Sequence, residues 1–271
     1  MLSKILYIPF ALGVATFVLM GVNVDSHYYN YTVPFVLGMA VIYILSPQID
    51  WWWYQRHPPE LPAGLRHLIN TQLPFYQNLP VADKTRFRQR MAMYMHANEF
   101  KPQGMETVAD DLKAVVAASA VQITLGHEDY LMGKFEHIII YPHPFPSPQF
   151  PDQWHASEFY EEDGVIMFSA EQLMPGFMQP HRFFNIGLYE YARVFRHCHP
   201  EVAFPNIGEE HWPALERISG FPKEKNINYI GLREIDLTAL AVSHFFMFPE
   251  RFREHLPAVY EALTKALNQR P

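Results

Sequence analysis

A single cysteine, Cys198, stands in 271 residues. No intramolecular disulfide can form, and a Cys-x-x-Cys zinc module is excluded because it needs paired thiolates. Positive charge is also in short supply, with 21 Lys and Arg against 28 Asp and Glu and a formal net charge of -7. A phosphate backbone is held by an excess of cations, so this balance argues against nucleic-acid binding. Charged residues make up only 18% of the chain, whereas 49% is hydrophobic and 15% aromatic. That composition is globular rather than disordered, and at this length a core can form without help from disulfides or a structural metal. No internal repeat is visible, which removes the solenoid and propeller classes.

Two stretches carry no charge at all, Ile5 to Val22 and Tyr31 to Leu45. A bilayer core of roughly 30 Å takes about 20 helical residues, so the pair reads as two transmembrane helices at about 5–22 and 29–47, the second completed by interfacial residues. Trp51, Trp52, Trp53 and Tyr54 then form an aromatic belt at the second exit. A cleaved signal peptide followed by a core helix is the competing reading. It is disfavoured because no small-x-small cleavage site follows the first run and a second run comes at once. Lys4 precedes the first run and Arg56 and Arg66 follow the second, while the loop from Asn23 to Asn30 has no Lys or Arg. The positive-inside rule therefore places both ends, and the main domain, in the cytoplasm.

His57-Pro58-Pro59-Glu60-Leu61-Pro62 cannot continue a helix, because proline removes a donor and restricts its predecessor, so it reads as a linker. The organisation expected is a membrane hairpin over 1–56 and a second domain over 57–271. In that domain Phe87, Met91, Tyr94 and Met95 mark one amphipathic helix, and Leu112, Val115, Val116 and Ile123 mark another. The β-branched runs 137–141 and 165–169 read as strands around a stiff loop holding Pro142, Pro144, Pro146, Pro148 and Pro151. Helical patterns follow at about 181–199, 209–218, 232–247 and 250–268. The class is α+β and helix-dominated.

Chemistry centres on Asn185-Ile186-Gly187-Leu188-Tyr189-Glu190-Tyr191-Ala192-Arg193. This segment has the outline of a His-Glu-x-x-His helix with the glutamate kept and both histidines gone. In such a helix two imidazoles one turn apart bind zinc and the glutamate activates the metal-bound water. A tyrosine phenol is a poor zinc ligand at neutral pH, and a permanently cationic arginine has no lone pair to give.

From about Leu73 onward the chain resembles the Mlc titration factor A family of zinc metallopeptidases. The resemblance rests on Leu73-Pro74-Phe75, Leu79-Pro80-Val81-Ala82-Asp83, the helix 109–123, Ile138-Ile139-Ile140-Tyr141-Pro142, Gly164-Val165-Ile166-Met167-Phe168-Ser169, the helix 185–195, Ala239-Leu240-Ala241-Val242-Ser243, and Pro249-Glu250-Arg251-Phe252. It implies a zincin-like metallopeptidase domain with a short sheet. It also implies a catalytic Glu190, an oxyanion-stabilising Tyr229, and a third metal carboxylate seven residues later at Asp236, where the family has glutamate. Tyr189 and Arg193 occupy the histidine positions, and Arg196 stands where the family has an aspartate.

These departures lead to the expectation of a membrane-anchored homologue that has lost its zinc and acts by binding or regulating a protein. An extended peptide would add to the strand 165–169. The alternative is an active zinc peptidase with a rearranged metal site, to which His197 and His199 are the nearest additional ligands. Arg193 is expected to fill the emptied metal position, pairing with Glu190 and Asp236 between Tyr189 and Tyr229. Cys198 and the remaining histidines at 137, 143, 155, 211 and 244 read as structural, with no acid at ligand spacing from 137, 143 or 155.

Overall fold

The computed structural model describes residues 2–271, in two units, one ending at Pro59 and the other running from Glu60 to Pro271. The first unit holds α1 (Leu2–Asn23) and α2 (Thr32–Arg56), joined by a short 3-10 turn at Ser26–Tyr31. Both helices are apolar all round, and both are long and apolar enough to cross a membrane. They run antiparallel, as two glycines show. A Cβ on Gly13 would overlap the Phe35 ring, and one on Gly38 would overlap the Phe10 ring. Each glycine is therefore the socket for an aromatic ring of the other helix, a close approach that only a residue without a side chain permits. At the open end Asp50 accepts hydrogen bonds from the Ser3 backbone N–H (2.9 Å) and hydroxyl (2.7 Å), satisfying donors that the first turn of α1 leaves free. Arg56 lies over the Trp52 ring at 3.9 Å and His57 stacks on Trp53. The second helix thus runs through the tryptophan belt rather than stopping near residue 47.

The second unit begins with α3 (Ala63–Gln72), α4 (Pro74–Asn78) and α5 (Val81–Ala97). Next come β1 (Glu99–Pro102), α6 (Asp110–Thr124), β2 (His137–Tyr141), β3 (Ser157–Tyr160) and β4 (Val165–Ser169). The chain closes with α7 (Ala170–Met178), α8 (Ile186–Cys198), α9 (Trp212–Ser219), α10 (Lys223–Ile230), α11 (Leu237–Met247), α12 (Pro249–His255) and α13 (Pro257–Leu267). The sheet order is β1-β2-β4-β3, with β1, β2 and β4 parallel and β3 antiparallel to β4. The fold is α+β and helix-dominated, as expected.

One expectation is overturned by this order. The strand 165–169 is β4, hydrogen-bonded on both sides, so it cannot receive a peptide; the edge beside it is β3. The sequence pattern does not announce β1 or β3, because each is only four residues long, too short for a periodicity to stand out. The pattern at 250–268 splits into α12 and α13 because Pro257 lacks the N–H that a continuous helix would need. The pattern at 232–247 begins only at Leu237, after an Asp236 N-cap, and α10 went unforeseen.

The centre of this unit is α6, which is buried without a break from Ala114 to Thr124. Its small residues let α5, α7 and α8 approach from several sides. The free carbonyls at its C-terminal end are met by long polar side chains. Arg90 reaches Thr124 O (2.9 Å) and Leu125 O (3.2 Å), and Gln269 Nε2 reaches Gln122 O (2.7 Å). Burial brings the Arg90 guanidinium down to about 10. Tyr94 of α5 and Tyr191 of α8 share a buried hydroxyl contact of 2.6 Å.

Candidate functional site

Helix α8 begins where Asn185 Oδ1 accepts the Leu188 N–H at 3.0 Å, a side-chain N-cap. Nine of its first ten residues are buried, all but Arg193, and Glu190 among them has no exposed surface. A buried carboxylate has to be paired, and each oxygen of Glu190 has a partner. Oε2 accepts the Ser157 hydroxyl of β3 at 2.7 Å, and Oε1 accepts Arg193 at 2.8 Å. The edge strand and the site helix are thereby tied together at the position of the expected catalytic base.

Arg193 lies over the rings of Phe159 (5.0 Å) and Tyr189 (5.8 Å). Burial works against its charge, but the carboxylates of Glu190 and Asp236 and the Tyr189 phenol more than offset it, so its pKa lies above the usual arginine value. Tyr189 is almost fully buried, and burial pushes its phenol well above the ordinary range. Its hydroxyl accepts the Asp236 backbone N–H at 3.1 Å.

Asp236 departs from the expected arrangement. Its carboxylate meets Arg196, at 2.6 and 2.8 Å, rather than Arg193, and Oδ1 also caps α11 by accepting Ala239 N–H at 3.0 Å. Arg193 therefore pairs with Glu190 alone, and Arg196 supplies the second cation. The reason is reach along α8: Arg193 faces the carboxylate one turn behind it, and Arg196, one turn further on, faces the start of α11. Tyr229 is also elsewhere. Its hydroxyl donates to Gln172 O at 2.7 Å and its ring lies beside Phe183, with burial raising its pKa and Glu171 adding to the shift. It does not line the cavity that Tyr189, Arg193 and Asp236 share.

That cavity, about 470 Å³, is lined by Phe150, Gln153, Tyr189, Arg193, Leu232, Arg233, Glu234 and Asp236. Phe150 and Gln153 come from the loop before β3 and Leu232, Arg233 and Glu234 from the turn before α11, and no motif singles them out. His197 turns to Glu161 (3.4 Å) between the Phe135 and Phe159 rings, and His199 turns to Glu201 (3.1 Å). Neither joins Glu190. Three histidines read as structural each meet a single acid: His137 meets Glu99 (3.1 Å), His143 meets Glu171 (2.8 Å), and the fully buried His155 meets Glu158 (2.9 Å). Burial pushes the Cys198 thiol up to about 11, away from the thiolate that a nucleophile or metal ligand requires.

The second unit is thus a helix-dominated α+β domain in which the buried glutamate of α8 is tied to the edge of a small mixed sheet. Residues 49–195 match the family described as glucose-regulated metallo-peptidase M90, and the chain belongs to that family. No curated protein matches it. The match ends within α8, so Tyr229 and Asp236 lie beyond it. The family's metal needs several lone pairs converging on one point. Here Tyr189 offers a phenol held protonated by burial, Arg193 offers none, and both carboxylates are engaged by arginines. Among the described residues no group of three or more His, Cys, Asp or Glu gathers as a ligand set. The side chains as arranged do not fit a zinc ion.

Proposed function

We propose that this chain is a membrane-anchored member of the metallopeptidase family that binds a polypeptide in the cleft beside α8 and does not hydrolyse it. The observation that carries this reading is the Arg193–Glu190 ion pair. Its guanidinium supplies a fixed positive charge beside the carboxylate that would otherwise serve as base, and both oxygens of that buried carboxylate already accept a hydrogen bond from the protein, which holds it away from the role of a base toward water. β3 is last in the sheet order, and its partly exposed end at Phe159 and Tyr160 supports main-chain pairing with an extended segment. The two apolar helices and the Lys and Arg at their outer ends support an anchor that leaves the main domain in the cytoplasm.

The test is metal analysis and a peptidase assay on the full chain purified in detergent. The expected outcome is less than stoichiometric zinc and no hydrolysis. One equivalent of tightly held zinc, with cleavage abolished by Glu190→Gln, would establish an active peptidase instead.

A further inference from the structure

The polar groups around the cavity are not balanced. Arg193 gives one N–H to Glu190, leaving most of the five donors of its guanidinium without an acceptor among the described residues. The buried Tyr189 hydroxyl accepts a hydrogen bond, but its own proton has no acceptor among the described residues. Gln153 uses its carbonyl oxygen on the Arg233 backbone N–H (3.1 Å), which leaves its amide N–H groups free. The exposed Arg233 makes no ion pair among the described residues. On the acceptor side, the oxygens of Glu190 and Asp236 are engaged, and only Glu234, exposed at the rim, has a carboxylate to spare.

A site with surplus donors is complemented by a group that only accepts. A carboxylate does this, and a planar guanidinium matches it through paired hydrogen bonds. Three arginines, Arg193, Arg196 and Arg233, stand against three carboxylates, Glu190, Asp236 and Glu234, so the site has no surplus positive charge and admits a ligand of one negative charge at lower cost than a multiply charged phosphate. Phe150 and Leu232 give an apolar wall for whatever carries the carboxylate, and the volume is that of a small-ligand site.

We propose that this cavity is a carboxylate-binding site in which Arg193, Tyr189, Gln153 and Arg233 hold the terminal carboxylate of a peptide or of a small organic acid. The proposal rests on the polypeptide-binding reading only for the peptide source. The carboxylate of a polypeptide end would sit against Arg193.

Calorimetry on the full chain in detergent tests it, with three probes: acetyl-Ala-Ala-Ala-Phe bearing a free C-terminal carboxylate, the same peptide as its C-terminal amide, and sodium acetate. A charge-assisted hydrogen bond is stronger than a neutral one, so the acid should bind about tenfold or more tightly than the amide. Tyr189→Phe and Arg233→Gln, which leave the buried ion pair intact, should each reduce that preference several-fold. Acid peptide binding well above acetate identifies a peptide end as the ligand, and acetate binding as tightly as the peptide identifies a small acid; both support the site. Equal affinity for acid and amide would overturn the carboxylate site and leave polypeptide binding standing. Acetate binding with neither peptide bound would do the reverse. Binding by none of the three, or competition by inorganic phosphate as strong as by acetate, would also overturn the site.

Discussion

Two arginines three positions apart on α8 do different work, and burial decides how much each contributes. Glu190 has no exposed surface, and Arg193 is 22% exposed at its side chain, so removing the arginine strands a buried carboxylate with only the Ser157 hydroxyl. That costs about 3–5 kcal/mol. Arg196 and Asp236 are each about one third exposed, where water screens the pair and its loss costs under about 1 kcal/mol. Arg193→Ala should therefore lower the thermal unfolding midpoint far more than Arg196→Ala, and Glu190→Gln should recover much of the loss in the Arg193→Ala background. Equal losses from the two arginines would show that the burial argument fails. The motif segment drew attention to Arg193 and Glu190 because they are three residues apart on one helix. The Arg196–Asp236 and Ser157–Glu190 contacts join residues 40 and 33 apart, and no local pattern announces them.

Among the elements, legibility followed length and periodicity. Helices α5 and α6 were visible because a stripe repeated over several turns, and β2 and β4 because β-branched residues ran together. The four-residue strands β1 and β3 had no room for a pattern, yet β3 is the edge that faces the site helix. The hairpin elements were legible for a different reason, since a bilayer demands a long uncharged run. Their orientation is open to a direct measurement. With a thiol placed at Ser26 or at Gln55, a membrane-impermeant reagent added to intact cells should label Ser26→Cys and not Gln55→Cys. The half-buried Cys198, its thiol pushed up to about 11, gives little background. Labelling of the second and not the first would reverse the topology.

At the scale of the whole molecule, one buried base makes stability depend on pH. His244 of α11 has no exposed surface, neither ring nitrogen has a hydrogen-bond partner, and Phe184 and Phe248 stand beside it. Burial lowers its pKa from 6.5 to about 3. The unfolded chain therefore takes up a proton that the folded protein refuses, so the stability is full above about pH 6.5 and falls as the pH drops toward 3. The slope for one such group is about 1.4 kcal/mol per pH unit. Denaturant unfolding between pH 7 and 5 should show the stability falling in the wild type with a slope that approaches this value near pH 5, and a shallower fall in His244→Leu; parallel curves would show that His244 is not the group responsible. The sequence by itself determined the apolar hairpin, the helix-rich class and the altered motif at Tyr189, Glu190 and Arg193, because each is written in residues close together along the chain. Only the tertiary structure decided that β3 forms the edge, that Arg196 takes Asp236, and that Tyr229 turns away to Gln172. Those outcomes depend on which surfaces pack together and which charges must be compensated once water is excluded, and neither is a property of any local stretch of sequence.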